Sequence, residues 1–445
     1  MTNTVQLPIW LFVLIVAFAA VTFASHFLFP SVRWFFRRRL ERAVAQLNTK
    51  LTRPIEPFKL AARQDMIQRL SYDPQVTEAI VEYASKQGVR EDVGFEKARR
   101  YAREIVPSFS AFAYFGFGIR VARWLANVLY VVRTGPQNNA VIAAIPKDST
   151  VVFIMNHRSN MDYVLVTYLA AQSSALSYAV GEWARIWPLS RLIKSMGAYF
   201  IRRKSRGALY RKVLARYVHM ATLGGVTQAI FPEGGLSLDG KLAPPKMGLL
   251  GYVLEAAQDN AREVVFVPVA INYDRVLEDR VLMAAHVQGN RRFGAKLGVI
   301  FGFISRNLWL RLRGKFGRFG SAGVIFGEPL SFNGSASNMS LDDLAVELMG
   351  RIEMAMPKLG LPILADILLR KGDKISKTEL IAQGCAVIEA QPEAFLLRED
   401  ETPEAYLREA LAHLVHRKFV QIENEDIRIS DHEIQSLQYY ANSIG

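Results

Sequence analysis

Residues 150–170 read TVVFIMNHRSNMDYVLVTYLA, and this stretch contains the clearest pattern of a strand followed by a helix in the sequence. Its apolar, β-branched start predicts a buried strand, which is followed by a polar turn and an apolar helix. Similar apolar runs at residues 229–231, 264–267 and 323–326 are separated by helical stretches. This alternation predicts an α/β domain in which helices surround a largely buried sheet.

Composition limits the class of protein. Of the 445 residues, 51% are hydrophobic and 22% charged, too apolar for a disordered chain and too charged for a multispanning membrane protein. The 55 Lys and Arg exceed the 41 Asp and Glu by 14, which predicts an anionic partner surface, either phospholipid or nucleic acid. The single cysteine, Cys385, excludes a disulfide scaffold and a cysteine zinc cluster.

The N-terminus contains a candidate membrane span. Residues 7–29, LPIWLFVLIVAFAAVTFASHFLF, contain no Asp, Glu, Lys or Arg, and as a helix they are long enough to cross a bilayer core of about 30 Å. We predict one transmembrane helix, with a buried core helix as the alternative. Five arginines between positions 33 and 42 follow it and predict that the rest of the chain is cytoplasmic.

Two later stretches combine apolar residues with cations. Residues 111–132, AFAYFGFGIRVARWLANVLYVV, suit a helix lying on a membrane surface, with a buried helix as the alternative. Residues 301–320, FGFISRNLWLRLRGKFGRFG, favour contact with anionic lipid, with stacking of single-stranded nucleic acid as the alternative. Because a predicted membrane segment accompanies both, we expect phospholipid and no nucleic acid as the partner.

We divide the chain into four parts: a transmembrane helix over 1–30, a helical membrane-proximal region over 31–145, the α/β domain over 146–335 and a small C-terminal unit over 336–445. In the last part, a helix over 402–417 and two short strands resemble a winged-helix outline. Residues 371–445 hold 14 carboxylates against 8 Lys and Arg, which argues against DNA contact.

Residues with catalytic chemistry follow the first strand. His157 is followed five positions later, past one turn, by Asp162. This spacing can bring the carboxylate back to the imidazole, where it fixes the tautomer while His157 takes a proton from a hydroxyl. A histidine that is merely hydrogen-bonded to a neighbouring aspartate is the structural alternative.

Three more blocks fall at strand ends. Residues 197–204, GAYFIRRK, end in three cations that suit an anionic substrate. Residues 231–235, FPEGG, supply a carboxylate and two glycines where the backbone can approach a ligand closely. Residues 267–273, VPVAINY, form the last block.

Together the four blocks resemble the motifs of the glycerolipid acyltransferase superfamily, most closely the bacterial membrane-bound glycerol-3-phosphate and dihydroxyacetone-phosphate acyltransferases. HRSNMDY is similar to the first motif, GAYFIRR to the second, FPEGG with Lys241 and Lys246 to the third, and VPVAINYDRVLE to the fourth. The resemblance covers the chain from about residue 101 to its end. It implies an acyltransferase-type mixed sheet and an enzyme of phospholipid synthesis in a bacterial inner membrane.

The resemblance implies that His157 is the general base and that Asp162 orients it, with the thioester of coenzyme A or acyl carrier protein as co-substrate. No metal or organic cofactor is expected, since no metal-ligand cluster, phosphate-loop lysine signature or dinucleotide fingerprint is present. The predicted substrate-binding residues are Arg158, Arg202, Arg203, Glu233, Gly234, Gly235, Lys246 and Pro268.

One departure bears on the acceptor. In the glycerol-3-phosphate enzymes, arginines usually occupy two positions after the glycines of the third motif, where this chain has Leu236 and Leu238. Each charge-assisted contact to phosphate contributes about 1.5–3 kcal/mol, so their loss weakens phosphate binding by roughly two to four orders of magnitude unless other cations substitute. Glycerol 3-phosphate remains the expected acceptor, and lysophosphatidate or a lyso-aminolipid is the alternative.

Two alternatives come from other classes of protein. The first is a non-catalytic membrane scaffold that keeps the fold, and the second is a membrane-tethered protein that binds nucleic acid. Loss of acyl transfer on His157→Ala separates the enzyme from the scaffold. Salt-dependent RNA affinity would indicate the nucleic-acid binder.

Overall fold

The computed structural model describes residues 8–170, 174–181, 189–202, 207–259, 262–289, 318–334, 336–372 and 374–444, without the side chains of residues 20–37 and 40. The chain divides into two units, Met1–Pro54 and Ile55–Gly445. Arg203 and most of the basic, aromatic stretch 301–320 lie outside the described residues.

The smaller unit contains one long helix, α1 (Ile9–Asn48). Within the described residues, no helix has both the length and the apolar character needed to cross a membrane. The transmembrane helix predicted over residues 7–29 is therefore not confirmed, and its second half falls on side chains outside the described set.

The larger unit is built on a mixed sheet. Its described strands are β1 (Val131–Thr134), β2 (Thr150–Met155), β3 (Ser177–Val180), β4 (Tyr199–Phe200), β5 (Gln228–Ile230), β6 (Val264–Tyr273), β7 (Ser321–Phe326) and β8 (Leu330–Ser331). They are arranged in the order β1-β7-β6-β2-β5-β3-β4, and β8 pairs with β6. The pairs of β6 with β7 and β8 are antiparallel and the others parallel, so the predicted mixed α/β sheet is confirmed.

Strand β2 lies at the centre of this sheet between β5 and β6. Val152 pairs with Gln228 on one side and Phe266 on the other. All six residues of β2 are buried, as expected for a parallel strand that is covered on both faces. Alternate residues belong to the two hydrophobic clusters, Phe153 to one and Val152 to the other, so the core has a layer on each side of the sheet.

Two strands differ from the expectation. Strand β6 continues to Tyr273, so the fourth block forms the end of a strand instead of following one. Pro268 is tolerated there because the pairing of β6 with β7 begins only at Val269. The N–H that Pro268 lacks is therefore not needed for a hydrogen bond to β7. Strand β1 lies within the region 31–145 that is predicted to be helical. Residues 131–134 form a strand there because they pair with β7.

Helices cover both faces of the sheet. They are α2 (Pro57–Leu60), α3 (Arg63–Ser71), α4 (Pro74–Gln87), α5 (Glu91–Ile105), α6 (Ile119–Leu129), α7 (Asn138–Ala144), α8 (Met161–Ala170), α9 (Leu189–Ser195), α10 (Ala208–Leu223), α11 (Met247–Gln258), α12 (Asp279–Val287) and α13 (Leu341–Met354). A π-helical segment, Phe112–Gly118, leads into α6. The helix predicted over residues 111–132 thus ends at residue 129.

The C-terminal elements are α14 (Gly360–Lys371), β9 (Ile375–Ser376), α15 (Lys377–Ala390), α16 (Pro403–His416), β10 (Val420–Glu423), β11 (Asp426–Ile429) and α17 (Ile434–Ala441). The three strands form a small antiparallel sheet. The helix and two strands expected over 402–429 are present, while the winged-helix outline stays a prediction. Leu364, Leu407 and Tyr440 share a hydrophobic cluster with the main sheet, so the two parts have a common core.

Candidate active site

The turn between β2 and α8 places His157 at the carboxyl end of the central strand. The side chain of Asn156 fixes the start of this turn: its Nδ2 donates to the carbonyl of Ile271 at 2.9 Å, and its Oδ1 accepts from the amide of Ile271 at 2.8 Å. His157 is only 3% exposed and Asp162 is fully buried. The site is therefore shielded from bulk water.

Asp162 lies in the first turn of α8 and faces back toward the imidazole. Its Oδ2 is 2.9 Å from His157 Nδ1 and accepts from the amides of Arg158 at 2.7 Å and Ser159 at 3.0 Å. Because a carboxylate only accepts hydrogen bonds, Nδ1 of His157 carries the proton and Nε2 is the basic nitrogen. The structure thus brings together His157, predicted as the general base, and Asp162, predicted to orient it.

Tyr273, the last residue of β6, contacts the same carboxylate. Its hydroxyl donates to Asp162 Oδ1 at 2.6 Å. Burial, and secondarily the charge of Asp162, raises the pKa of Tyr273 well above its usual value, so the phenol remains a donor. Sequence reasoning placed Tyr273 in the fourth block without giving it a role; the signal was a hydroxyl at the end of an apolar strand.

Glu278 holds the turn from another direction. Its Oε2 accepts from the hydroxyl of Ser159 at 2.7 Å, and its Oε1 accepts from Nδ2 of Asn160 at 2.9 Å and from its amide at 3.3 Å. Burial raises the pKa of Glu278 and these hydrogen bonds lower it, with burial the larger effect. Sequence reasoning did not assign a role to Glu278, although it ends the stretch VPVAINYDRVLE, which resembles the fourth motif.

Glu233, one of the predicted substrate-binding residues, contacts the backbone. Its Oε1 accepts from the amide of His157 at 2.6 Å, and its Oε2 accepts from the amide of Ala243 at 2.8 Å. Glu233 is buried, and burial raises the pKa of its carboxyl, while the two amide bonds lower it. The contacts join the third block to the catalytic turn, so Glu233 positions His157.

The other predicted residues of the third block lie together. Gly234 adopts φ +65°, and a Cβ there would lie 2.8 Å from Cδ and 3.0 Å from Nζ of Lys246. Glycine suits this positive φ, which other residues rarely adopt, and it leaves room for the side chain of Lys246. Gly235 follows in the same turn, whereas Pro268 is buried within β6 beside Ile154.

The predicted phosphate ligand of the second block is already paired. Nε and Nη2 of Arg202 donate to Oε2 and Oε1 of Glu104, on α5, at 2.8 and 2.5 Å. This two-point contact raises the pKa of Arg202. A substrate phosphate that binds Arg202 would have to compete with Glu104.

Apolar groups surround the imidazole. The ring of Phe231 lies 4.2 Å from that of His157 between centroids, and the ring of Tyr163 lies at 5.5 Å. Tyr163 also lines an apolar cavity of about 220 Å³ between the π-helical segment, α6, α8 and β3. Leu236 and Leu238, at the positions of the missing arginines, pack against the hydrophobic core.

Arg158 enters a different space. Its Nη1 donates to the carbonyl of Gly240 at 2.5 Å, and its side chain lines a polar cavity of about 460 Å³.

Over the part of the chain that is described, no group of three His, Cys, Asp or Glu side chains could hold a metal ion.

Residues 140–272 match the family model described as Acyltransferase. This segment runs from α7 through β6 and includes His157, Asp162 and the second and third blocks. The match supports an acyltransferase domain over these residues, and the resemblance drawn from the motifs is confirmed.

Curated relatives narrow the comparison. The chain is similar to the glycerol-3-phosphate acyltransferase of Pseudoalteromonas translucida (27% identity over 417 residues, 87% of this chain and 50% of the relative). It is also similar to that of Pseudomonas syringae pv. tomato (30% over 274 residues, 60% and 31%). The chain thus spans half or less of the length of these relatives.

A solved structure was also matched. The 1-acyl-sn-glycerophosphate acyltransferase of Thermotoga maritima is 20% identical over 62% of this chain and 91% of that chain, with a TM-score of 0.34.

Proposed function

We propose that this protein transfers an acyl group from a coenzyme A or acyl-carrier-protein thioester to the hydroxyl of glycerol 3-phosphate. The observation that carries the proposal is the buried His157–Asp162 pair, in which the carboxylate accepts from Tyr273 and from two backbone amides as well as from the imidazole. These contacts fix the tautomer that a general base requires. The names of the curated relatives support the same reaction.

The proposed reaction begins at Nε2 of His157. This nitrogen takes the proton of the acceptor hydroxyl as the hydroxyl oxygen attacks the thioester carbonyl carbon, and the carbonyl π electrons move to oxygen. The tetrahedral oxyanion then collapses, which restores the carbonyl and breaks the C–S bond. The imidazolium returns its proton to the departing sulfur, and Asp162 stabilises the imidazolium in between.

The apolar cavity supports binding of the acyl chain, because Tyr163 lines it and also contacts the imidazole.

We also propose that a membrane surface lies next to this cavity. Phe112, Phe117 and Trp124 are 78%, 54% and 47% exposed, and Arg120 and Arg123 lie exposed among them. Exposed aromatic residues beside arginines favour attachment to anionic phospholipid.

Residues 7–29 and the arginines that follow them underlie the rest of the membrane proposal, an inner-membrane anchor with the catalytic site on the cytoplasmic side. This part rests on the sequence alone.

A lysolipid acceptor is the second candidate. The observation that favours it is the packing of Leu236 and Leu238 against the core where arginines would bind phosphate. With fewer phosphate ligands in this block, an acceptor that also gains binding energy from an apolar chain becomes competitive.

The experiment is an acyl-transfer assay on the purified full chain in detergent, with palmitoyl-coenzyme A or palmitoyl-acyl carrier protein as donor. Glycerol 3-phosphate and lysophosphatidate are offered separately as acceptors. Label in lysophosphatidate supports the first proposal, and label only in phosphatidate supports the second. Transfer to neither acceptor contradicts both.

The control variants are His157→Ala and His219→Ala. His219 also pairs with an aspartate, Asp259, at 2.9 Å, but it lies on α10 outside the four blocks. We expect His157→Ala to lose several orders of magnitude in kcat with an unchanged circular dichroism spectrum, and His219→Ala to stay within a few fold of wild type.

A further inference from the structure

The guanidinium of Arg158 has few partners for a buried cation. The residue is 3% exposed, and its hydrogen bond to the carbonyl of Gly240 is the one that the described part of the chain provides for its five N–H donors. A buried charge with so few partners is costly unless an anion or ordered water completes its shell. The remaining N–H donors of this guanidinium therefore suit contact with an anion.

This guanidinium lines the polar cavity. Its other polar lining residues include two carboxylates and come from segments far apart in the chain: Lys241, Glu353, Asp366, Gln438, Asn442 and Ser443. Cations suit a phosphate, whereas carboxylates and amides accept from or donate to hydroxyl groups. Asp366 is also paired with Arg370 at 2.5 Å, which reduces its repulsion of an anion.

A second buried polar group lies near Arg158. The hydroxyl of Tyr439, between Gln438 and Tyr440 on α17, is buried and has no hydrogen-bond partner within the described residues. The positive charge of Arg158 lowers the pKa of this phenol, although burial raises it more, so the two groups interact electrostatically. Tyr439 does not itself line the cavity, so the case for a bound anion rests on Arg158 and the polar lining residues.

We propose that the polar cavity binds a hydroxyl-bearing phosphate monoester, with the phosphate on Arg158 and Lys241. The inference rests on the proposed function, which supplies two candidate sources of this phosphate: the acceptor glycerol 3-phosphate and the 3′-phosphate of a coenzyme A donor. The cavity also supplies cations in place of the two arginines that are missing at Leu236 and Leu238. Arg202, in contrast, is engaged by Glu104.

The test measures binding without acyl transfer. Glycerol 3-phosphate, coenzyme A and dephospho-coenzyme A are titrated calorimetrically into wild type, Arg158→Gln and Lys241→Gln. The matched control is Lys374→Gln, because Lys374 is an exposed lysine paired with Asp426 on the small C-terminal sheet. Lys241 is exposed at the cavity rim, so Lys241→Gln keeps the test valid if Arg158→Gln fails to fold.

We expect Lys241→Gln to raise Kd about tenfold or more, and Arg158→Gln by at least as much, with Lys374→Gln unchanged. An effect confined to glycerol 3-phosphate identifies the acceptor as the source. An effect on coenzyme A that is absent with dephospho-coenzyme A identifies the donor.

Unchanged Kd values for both ligands in Lys241→Gln and folded Arg158→Gln, or no binding of either ligand to wild type, would overturn the site. Failure of the proposed function looks different. In that case, the variants weaken phosphate binding as expected, but wild type transfers no acyl group.

Discussion

At the scale of single residues, the imidazole of His157 is held from several directions. Asp162 accepts from Nδ1, the ring of Phe231 covers one face, and Glu233 holds the backbone amide of the same residue. If His157 is the base that we propose, these contacts reduce the entropy that is lost in reaching the geometry for proton transfer.

Replacing Asp162 by asparagine tests its role. The amide would keep the size of the side chain but could neither stabilise the imidazolium nor impose the Nδ1–H tautomer, so we expect Asp162→Asn to lower kcat by about two to four orders of magnitude with little change in KM. The matched control is Asp148→Asn, an exposed residue before β2. Retention of more than a tenth of the wild-type kcat in a folded Asp162→Asn protein would contradict the assignment.

The raised pKa of Glu278 leads us to expect that the stability of the protein falls as pH rises. Burial raises the pKa of this carboxyl above its ordinary value of 4.5, so the folded state binds more protons than the unfolded state between these two pKa values. The free energy of unfolding should therefore fall as pH rises through this window, by about 1.4 kcal/mol for each unit of the shift.

The measurement is urea unfolding of wild type and Glu278→Gln from about pH 4 to pH 8, since this window begins near the ordinary pKa of glutamate. Because Glu278→Gln also loses hydrogen bonds, its stability changes at every pH. The quantity to compare is therefore the slope of the free energy of unfolding against pH. We expect a shallower fall with pH in Glu278→Gln, and a wild-type slope in the exposed control Glu393→Gln. Equal slopes in all three proteins would refute the expectation.

At the scale of elements, the turn between β2 and α8, which carries the proposed base, depends on contacts from other parts of the chain. Strand β6 supplies Tyr273, the segment before α12 supplies Glu278, and the loop at residue 240 receives Arg158. Helix α17 in turn contacts this loop, and the side chain of Asn442, just after the helix, donates to the carbonyl of Asp239 at 2.9 Å.

Gly240 tests the contact between this loop and α17. It adopts φ +88°, and a Cβ there would lie 1.9 Å from the carbonyl oxygen of Tyr439. We expect Gly240→Ala to destabilise the protein by about 2–4 kcal/mol in urea unfolding, because backbone strain and steric overlap add. Gly248→Ala is the control: no atom lies within 4 Å of its Cβ position on α11, so it should stabilise by about 0.5–1 kcal/mol. Equal effects of the two substitutions would argue against this contact.

The ion pair between Glu104 of α5 and Arg202 of the second block leads to a kinetic prediction. If Arg202 binds a substrate phosphate, Glu104→Gln should lower KM severalfold for the phosphate-bearing substrate that it contacts, because the competing carboxylate is gone. Arg202→Gln should raise the same KM about tenfold or more. The control Glu96→Gln removes a surface pair with Arg99 and should leave KM unchanged. An unaltered KM for both substrates in Arg202→Gln would remove Arg202 from the binding residues.

At the scale of the whole molecule, the membrane proposal concerns one face of the larger unit. The π-helical segment and α6 bury Ala122, Ala126 and Leu129 and expose Phe112 and Trp124. From the sequence, this region suits either a helix on a membrane surface or a buried helix. The structure shows a helix with one face buried in the protein, and the membrane proposal depends on the aromatic residues of the exposed face.

A local probe tests membrane contact without interference from the N-terminal unit. In a Cys385→Ser background, an environment-sensitive fluorophore is attached at Phe112→Cys or at Val346→Cys, an exposed control position on α13 that is 70% exposed. On addition of phosphatidylethanolamine–phosphatidylglycerol vesicles, we expect a blue shift at position 112, because the probe enters an apolar phase, and no shift at position 346. The same response at both positions would contradict a membrane surface on α6.

The sequence by itself determined the parts of the molecule that depend on local pattern. Buried parallel strands require continuous apolar runs, which is why β2, β5, β6 and β7 were recognisable. His157 and Asp162 are five residues apart across one turn, so their contact could be predicted without the rest of the fold. The motifs, which are also local, indicated the acyltransferase family.

Only the tertiary structure decided which distant groups complete the site. Tyr273 reaches Asp162 across 111 residues, Glu278 reaches Ser159 across 119, and Glu104 pairs with Arg202 across 98. The polar cavity needs Arg158 together with residues after position 437. Such partners follow from how strands and helices pack, because burial and hydrogen-bond geometry in three dimensions select them and no periodicity in the sequence records that choice.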